Sequence, residues 1–174
     1  WGGGIRAIDF GTLRLDGVTL DGNEALDATE GLGGGIHGEV GGSIEIVGST
    51  LSNNSAAVQG GAVRVVNGAA LAIEGSTISD NSSETGGGVV IGSGTMPLSE
   101  TTFVRNTGTA GAGGLWIGLD GVLTAENVDF IDNDGGGHSG AALFNGITHD
   151  FVGGRVEGNS ADFAGGFNAV VGAT

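Results

Sequence analysis

One asparagine returns at a near-constant interval along the whole chain. Asn23, Asn54, Asn81, Asn106, Asn133 and Asn159 are separated by 31, 27, 25, 27 and 26 residues. Three positions before each stands an apolar residue: Leu20, Leu51, Ile78, Phe103, Phe130 and Val156. Ten and eight positions before the anchors come further pairs, among them Ile44 and Ile46, Leu71 and Ile73, Met96 and Leu98, and His149 and Phe151. Between the members of these pairs lie Glu45, Ala72, Pro97 and Asp150. Apolar, variable, apolar is the period-two signature of a strand with one buried face. After the anchors, small residues lead into another alternating run, as in Gly60-Gly61-Ala62-Val63 with Val65 and Gly86-Gly87-Gly88-Val89 with Ile91.

A unit of about 26 residues with three short strands cannot bury its apolar side alone, but stacking one unit on the next creates a continuous core. The expected fold is therefore all-β, a parallel β-solenoid of about six turns over a single domain, residues 1–174. Its expected divisions are a partial turn at 1–10 and turns near 11–41, 42–68, 69–94, 95–121, 122–147 and 148–174. Leu20, Leu51, Ile78, Phe103, Phe130 and Val156 are expected in one inward stack, with Ile46, Ile73 and Leu98 in another. The six anchors, one amide at the same corner of each turn, are expected to form an asparagine ladder. The 40 glycines then have a place, because sharp corners require positive φ or a close backbone approach that a Cβ obstructs. With a single proline and no Gly-X-Y period, collagen is excluded. A hydrophobic share of 39% in alternating runs speaks against disorder. Pro97 cannot donate to a ladder, so a bulge or an unpaired acceptor is expected beside it.

The formal charge is −15, with five arginines and no lysine. A polyanion would be repelled, which excludes nucleic acid as a partner, while divalent cations and cationic partners are attracted. Without cysteine there is no disulfide, zinc–thiolate or thiol nucleophile. No apolar stretch reaches the ~20 residues of a membrane helix. Trp1 in first position fits a processed chain or part of a longer one.

Phe103-Val104-Arg105-Asn106 and Phe130-Ile131-Asp132-Asn133, together with Gly60-Gly61-Ala62-Val63, resemble the FxxN and GGA[ILV] repeats of the chlamydial polymorphic membrane proteins. Gly75-Ser76-Thr77-Ile78-Ser79-Asp80-Asn81-Ser82 also resembles the right-handed parallel β-helix repeats of large secreted bacterial surface proteins. The other repeats relax the motif, with Leu, Ile or Val in place of Phe. The resemblance implies right-handed winding and a role in surface display, adhesion or extracellular scaffolding, and it carries no catalytic residues.

Parallel β-helices also include polysaccharide lyases and glycosidases, for which a carboxylate pair would be the signature. Glycoside hydrolysis needs two carboxylates about 5 to 10 Å apart. Asp129 with Asp132, and Glu100 with Glu126, are the candidates, without an Asp-Asp pair, Gly-His-Gly or Arg-x-Lys around them. Gly137-His138-Ser139-Gly140-Ala141 lacks the closing glycine of a nucleophile elbow. His37, His138 and His149 are expected in turns or at the surface. Calcium is the most plausible ligand, at Asp129, Asp132 and Asp134, hard oxygen donors beside Gly135 and Gly136. Thr19, Thr50, Thr77 and Thr102 form an outward column that could order water, as on ice-binding solenoids, although Asp129 and Arg155 continue it. Asn53-Asn54-Ser55 and Asn81-Ser82-Ser83 are formal glycosylation triplets.

The expected function is a non-enzymatic extracellular rod or surface adhesin, with a cell-surface or polysaccharide ligand. The alternatives are a carbohydrate-active β-helix enzyme and an ice-binding solenoid. Gly2 to Ile8 matches Gly60 to Val66, and Gly165 to Val171 matches them again, so the sequence opens and closes on a third strand. Both ends are therefore expected to be covered, by copies stacked end to end or by flanking parts of a longer polypeptide.

Overall fold

The computed structural model describes residues 2–145 and 148–170, which form strands and turns with no helix among them. The strands lie in rows, each parallel to its copy one turn along. The first row holds Thr12–Asp16, Ser43–Val47, Ala70–Glu74 and His149–Val152, with the second halves of Val89–Ser99 and Leu115–Glu126 between them. Thr19–Asp21, Thr50–Ser52, Thr77–Ser79, Thr102–Val104, Asp129–Ile131 and Val156–Glu157 make the second. The third runs from Ile5–Ile8 through Ile36–Glu39 and Val63–Val66 to Ala142–Phe144 and Phe167–Ala169, with the first halves of the two long strands in the middle. The chain is thus a parallel β-solenoid of about six turns, with repeats about 27 residues apart. Val171, expected in the last third-row strand, lies outside the described residues.

Two features add to the expected three strands per turn. A fourth row of two-residue strands follows the asparagine corner, at Glu24–Ala25, Ser55–Ala56, Ser82–Ser83 and Thr107–Gly108. Val89–Ser99 and Leu115–Glu126 also each run on from the third row into the first row of the next turn. The bulge lies in this passage, where the register shifts between Ile91 and Ser93, and not at Pro97. Pro97 pairs in register with Thr124. Its cost falls on the other side, where pairing with Ala70–Glu74 is confined to Ile73 with Leu98 and Glu74 with Ser99.

Left-handed backbone makes the corners. Between the first and second rows, Gly17, Gly48, Gly75, Glu100, Asn127 and Gly153 all have φ between 47° and 69°. Immediately before the asparagines, Gly22, Asn53, Asp80, Arg105, Asp132 and Gly158 have φ between 52° and 67°. Most are the residue types that tolerate this region; Glu100 and Arg105 are not. A different constraint acts on the second glycine of the GGA motif. At Gly61 a Cβ would run into the backbone of Gly87 and Ser82 in the next turn, and at Gly87 into the backbone of Thr107. Close approach of successive turns, and not φ, excludes a side chain there.

Inside, alternation stacks like on like. Leu51, Ile78, Phe103 and Phe130 have no exposed surface, and Ile46, Ile73 and Leu98 form a parallel buried column. The rings of Phe103 and Phe130 stack at 4.9 Å with planes 12° apart. Leu20 is half-buried against this core. Val156 keeps register with Phe130 but is 46% exposed, because it belongs to the last described turn. The 31-residue first interval is absorbed outside the ladders by a loop in which the Asp27 carboxylate accepts hydrogen bonds from the N–H groups of Thr29 and Glu30, both at 2.9 Å.

Phe103→Ala should cost about 3 to 5 kcal/mol, since both neighbouring turns lose contact with the ring. Val156→Ala should cost well under about 1 kcal/mol. Denaturant unfolding of the two variants measures the difference; equal losses would contradict this stack.

Candidate functional site

The corner asparagines are bonded at every polar atom of their side chains in the interior turns. The Asn54 Oδ1 accepts from both the N–H and the Nδ2 of Asn23, at 3.0 and 2.9 Å. Asn81 accepts likewise from Asn54, Asn106 from Asn81, Asn133 from Asn106 and Asn159 from Asn133. Each Nδ2 also donates to the carbonyl of the apolar residue one turn back: Asn54 to Leu20, Asn81 to Leu51, Asn106 to Ile78, Asn133 to Phe103 and Asn159 to Phe130. Asn54, Asn81, Asn106 and Asn133 have no exposed surface. Two acceptances and two donations fill the capacity of a buried amide, so none of its polar groups is stranded. This burial also closes Asn81 to glycosylation, while Asn53 is exposed.

The acidic corner does not gather. Asp129 is paired to Arg155 at 2.8 Å, Asp132 occupies the left-handed position before Asn133, and Asp134 accepts from the Gly136 N–H at 3.1 Å. Among the described residues, no three acidic or histidine side chains converge on a point where a metal could sit. Asp129 lies in the strand Asp129–Ile131, Asp132 at the left-handed corner and Asp134 at an isolated bridge beyond it, so the three expected calcium ligands stand on three different stretches of backbone. The candidate carboxylate pairs are likewise engaged or divided. Glu100 accepts from Asn127 at 2.7 Å, while Glu126 lines a depression on the first row together with Asp150.

Thr19, Thr50, Thr77 and Thr102 do lie in register along the second row, followed by Asp129. Beside them the column Asp21, Ser52, Ser79, Val104, Ile131 mixes charged, hydroxyl and apolar groups. Ser139 is buried, with its hydroxyl 2.7 Å from the Ala142 carbonyl oxygen and 2.6 Å from that of Gly166. His138 stacks instead on Phe163, with ring centroids 5.6 Å apart.

Two histidines lie on strands, and not in turns or fully at the surface as expected: His37 is buried and His149 half-buried. His37 is 1% exposed, in ladder register between Arg6 and Arg64, with its Nε2 3.3 Å from Glu39 and its Nδ1 without a partner among the described residues. Burial pushes its pKa below the ordinary 6.5, Glu39 opposes the shift, and the two arginines reinforce it. His149 takes the inward position in register with Leu123 and lies 4.9 Å from the Phe144 ring, both ring nitrogens buried and without a hydrogen-bond partner among the described residues. Burial lowers its pKa too, against the pull of Asp150. Strand alternation predicts an inward His149; nothing local in the sequence announces the burial of His37.

Asn106→Ala should cost about 3 kcal/mol or more, because it strips partners from Asn81, Ile78 and Asn133 in a buried corner. Asn23→Ala, at a half-exposed rung, should cost much less. Thermal and chemical unfolding compare the two. Acid should act in two steps. A base whose folded pKa lies below its unfolded value binds more protons when unfolded, so stability falls as pH drops below about 6.5 toward the folded value. The carboxyl of Asp80, held down by the Arg105 guanidinium, adds a loss below about 3.8. A His37→Leu/His149→Leu double variant should lose only the first step in a stability-versus-pH series; an unchanged profile would refute the assignment.

Comparison with protein-family models, curated proteins and solved structures yields no match. The resemblance to the chlamydial repeats is one of motifs alone, and the architecture is consistent with a β-helix repeat protein.

Proposed function

We propose that the chain is a rigid, non-enzymatic rod segment of an extracellular or cell-surface protein, of the type that the FxxN and GGA[ILV] motifs resemble. The ladder of buried amides carries this reading. Its side-chain hydrogen bonds tie one turn to the next, and backbone pairing in all the rows does the same. Chemistry devoted to coupling turns suits a structural element that holds a surface at a distance or displays it for adhesion. The charge of −15 suits a screened, saline exterior.

The ends of the described rows support stacking on further turns. Ile5–Ile8, Thr12–Asp16, Thr19–Asp21 and Glu24–Ala25 each pair on one side only, as do His149–Val152, Val156–Glu157 and Phe167–Ala169. Core positions are open there, with Phe167 38% exposed beside half-buried Phe151. Such edges accept another parallel strand, and a contact between unlike ends does not close on itself. The expected partners are copies stacked end to end or flanking turns of a longer polypeptide. Sedimentation and electron microscopy of the isolated chain at micromolar concentration should show linear assemblies, or end turns that fray when no flanking turn covers them. A persistent monomer with both end turns ordered and bare would overturn the proposal.

A further inference from the structure

We propose that a groove along the first row is a docking surface for an extended polypeptide in the polyproline II conformation, with lysine or arginine at every third position. Two adjoining depressions, of about 430 and 230 Å³, share Pro97 and Ser99 and together run along the rod axis. One column of first-row side chains is Glu45, Ala72, Pro97, Thr124 and Asp150; the next is Val47, Glu74, Ser99, Glu126 and Val152. Ala72, Pro97 and Ser99 are short side chains in the middle of this lining and keep its floor low where the two depressions meet.

Three carboxylates line this groove without an ion pair or side-chain hydrogen bond among the described residues: Glu74, Glu126 and Asp150. Glu45, in contrast, is held by Arg14 at 3.2 Å. In a lysine-free chain of charge −15, free carboxylates over a partly apolar floor favour a cationic occupant. The backbone of this row already pairs with turns on either side, so an incoming chain cannot join as another strand. Recognition then falls to side chains, which suits polyproline II, whose own backbone needs no partner.

Spacing selects the same conformer. Glu74 and Glu126 occupy one column, with Ser99 between them in register. Two rungs of about 4.8 Å separate them by roughly 9.6 Å. A polyproline II segment, rising about 3.1 Å per residue with three residues per turn, presents the same face every ~9.3 Å. An extended strand repeats its face every ~6.8 Å and falls out of step. Pro97, Val47 and Val152 offer apolar surface to the uncharged positions between the cations. The groove does not depend on how the rod ends are covered, so failure of end-to-end stacking would leave it standing.

Fluorescence anisotropy with two labelled peptides tests the proposal on the full chain. One carries Lys-Pro-Pro repeats; the other has the same composition with its lysines clustered. The repeat peptide should bind about fivefold more tightly or better at low salt, and Glu74→Gln/Glu126→Gln should weaken it by about fivefold. Glu24→Gln/Glu84→Gln, which removes equal charge elsewhere, should change affinity by less than about twofold. No binding, equal affinity for the two peptides, or equal loss in both double variants would overturn it. The peptide comparison uses the unaltered chain and stands even if a variant folds poorly.

Discussion

A buried primary amide must find four hydrogen-bond partners, and in this chain each interior corner asparagine finds all four in adjacent turns or at its own corner. That requirement sets the register of everything else. If one turn slipped by a residue, Asn106 would leave the N–H and side chain of Asn81 unanswered and would strand its own donor to the Ile78 carbonyl. The same slip would move Phe103 from the interior to the outside, because side chains alternate along a strand. Polar and apolar constraints therefore penalise the same error. Hydrophobic burial supplies most of the driving force, while the amides choose among the registers that burial alone would leave close in energy.

The surface adds little to this. Arg14 with Glu45, Arg105 with Asp80 and Arg155 with Asp129 bridge successive turns, but their arginines are half or more exposed. Such pairs are screened by salt and hold long side chains in place at an entropic cost. Five cations cannot neutralise twenty acids. The uncompensated carboxylates repel one another along the sides, and among the described residues the strands paired on one side only lie at the two ends.

Much of this was legible in the residues because a solenoid writes its contacts as a period. Asn54, Asn81 and Asn106 recur in phase with Leu51, Ile78 and Phe103, and a single sequence holds several copies of the same constraint. What stayed hidden was local and aperiodic. Ser55–Ala56 and Ser82–Ser83 are too short to display alternation, so the fourth row left no pattern. Glu100 and Arg105 sit in left-handed backbone because their equivalents in other turns do, although neither residue type advertises it. Asp129, Asp132 and Asp134 are neighbours in sequence, and proximity along the chain misled where a corner separates the side chains. His37 is buried by its surroundings in the third row, which composition does not reveal. The groove beside Pro97 depends on short side chains falling in adjacent turns, a coincidence visible only after the turns are stacked.

The parallel rows also determine how the molecule responds to force. Backbone hydrogen bonds between turns point along the rod, so steady tension on the axis loads a whole interface of them at once. Peeling from an end, by contrast, breaks them a few at a time. Each turn advances the rod by only about 4.8 Å, yet its 27 or so residues span roughly 90 Å when drawn out. A turn that lets go therefore lengthens the tether nearly twentyfold over its folded contribution. The next turn, bonded as its predecessor was, takes up the load. Extension would proceed in large, nearly equal steps, each dissipating work while the remaining stack stays intact.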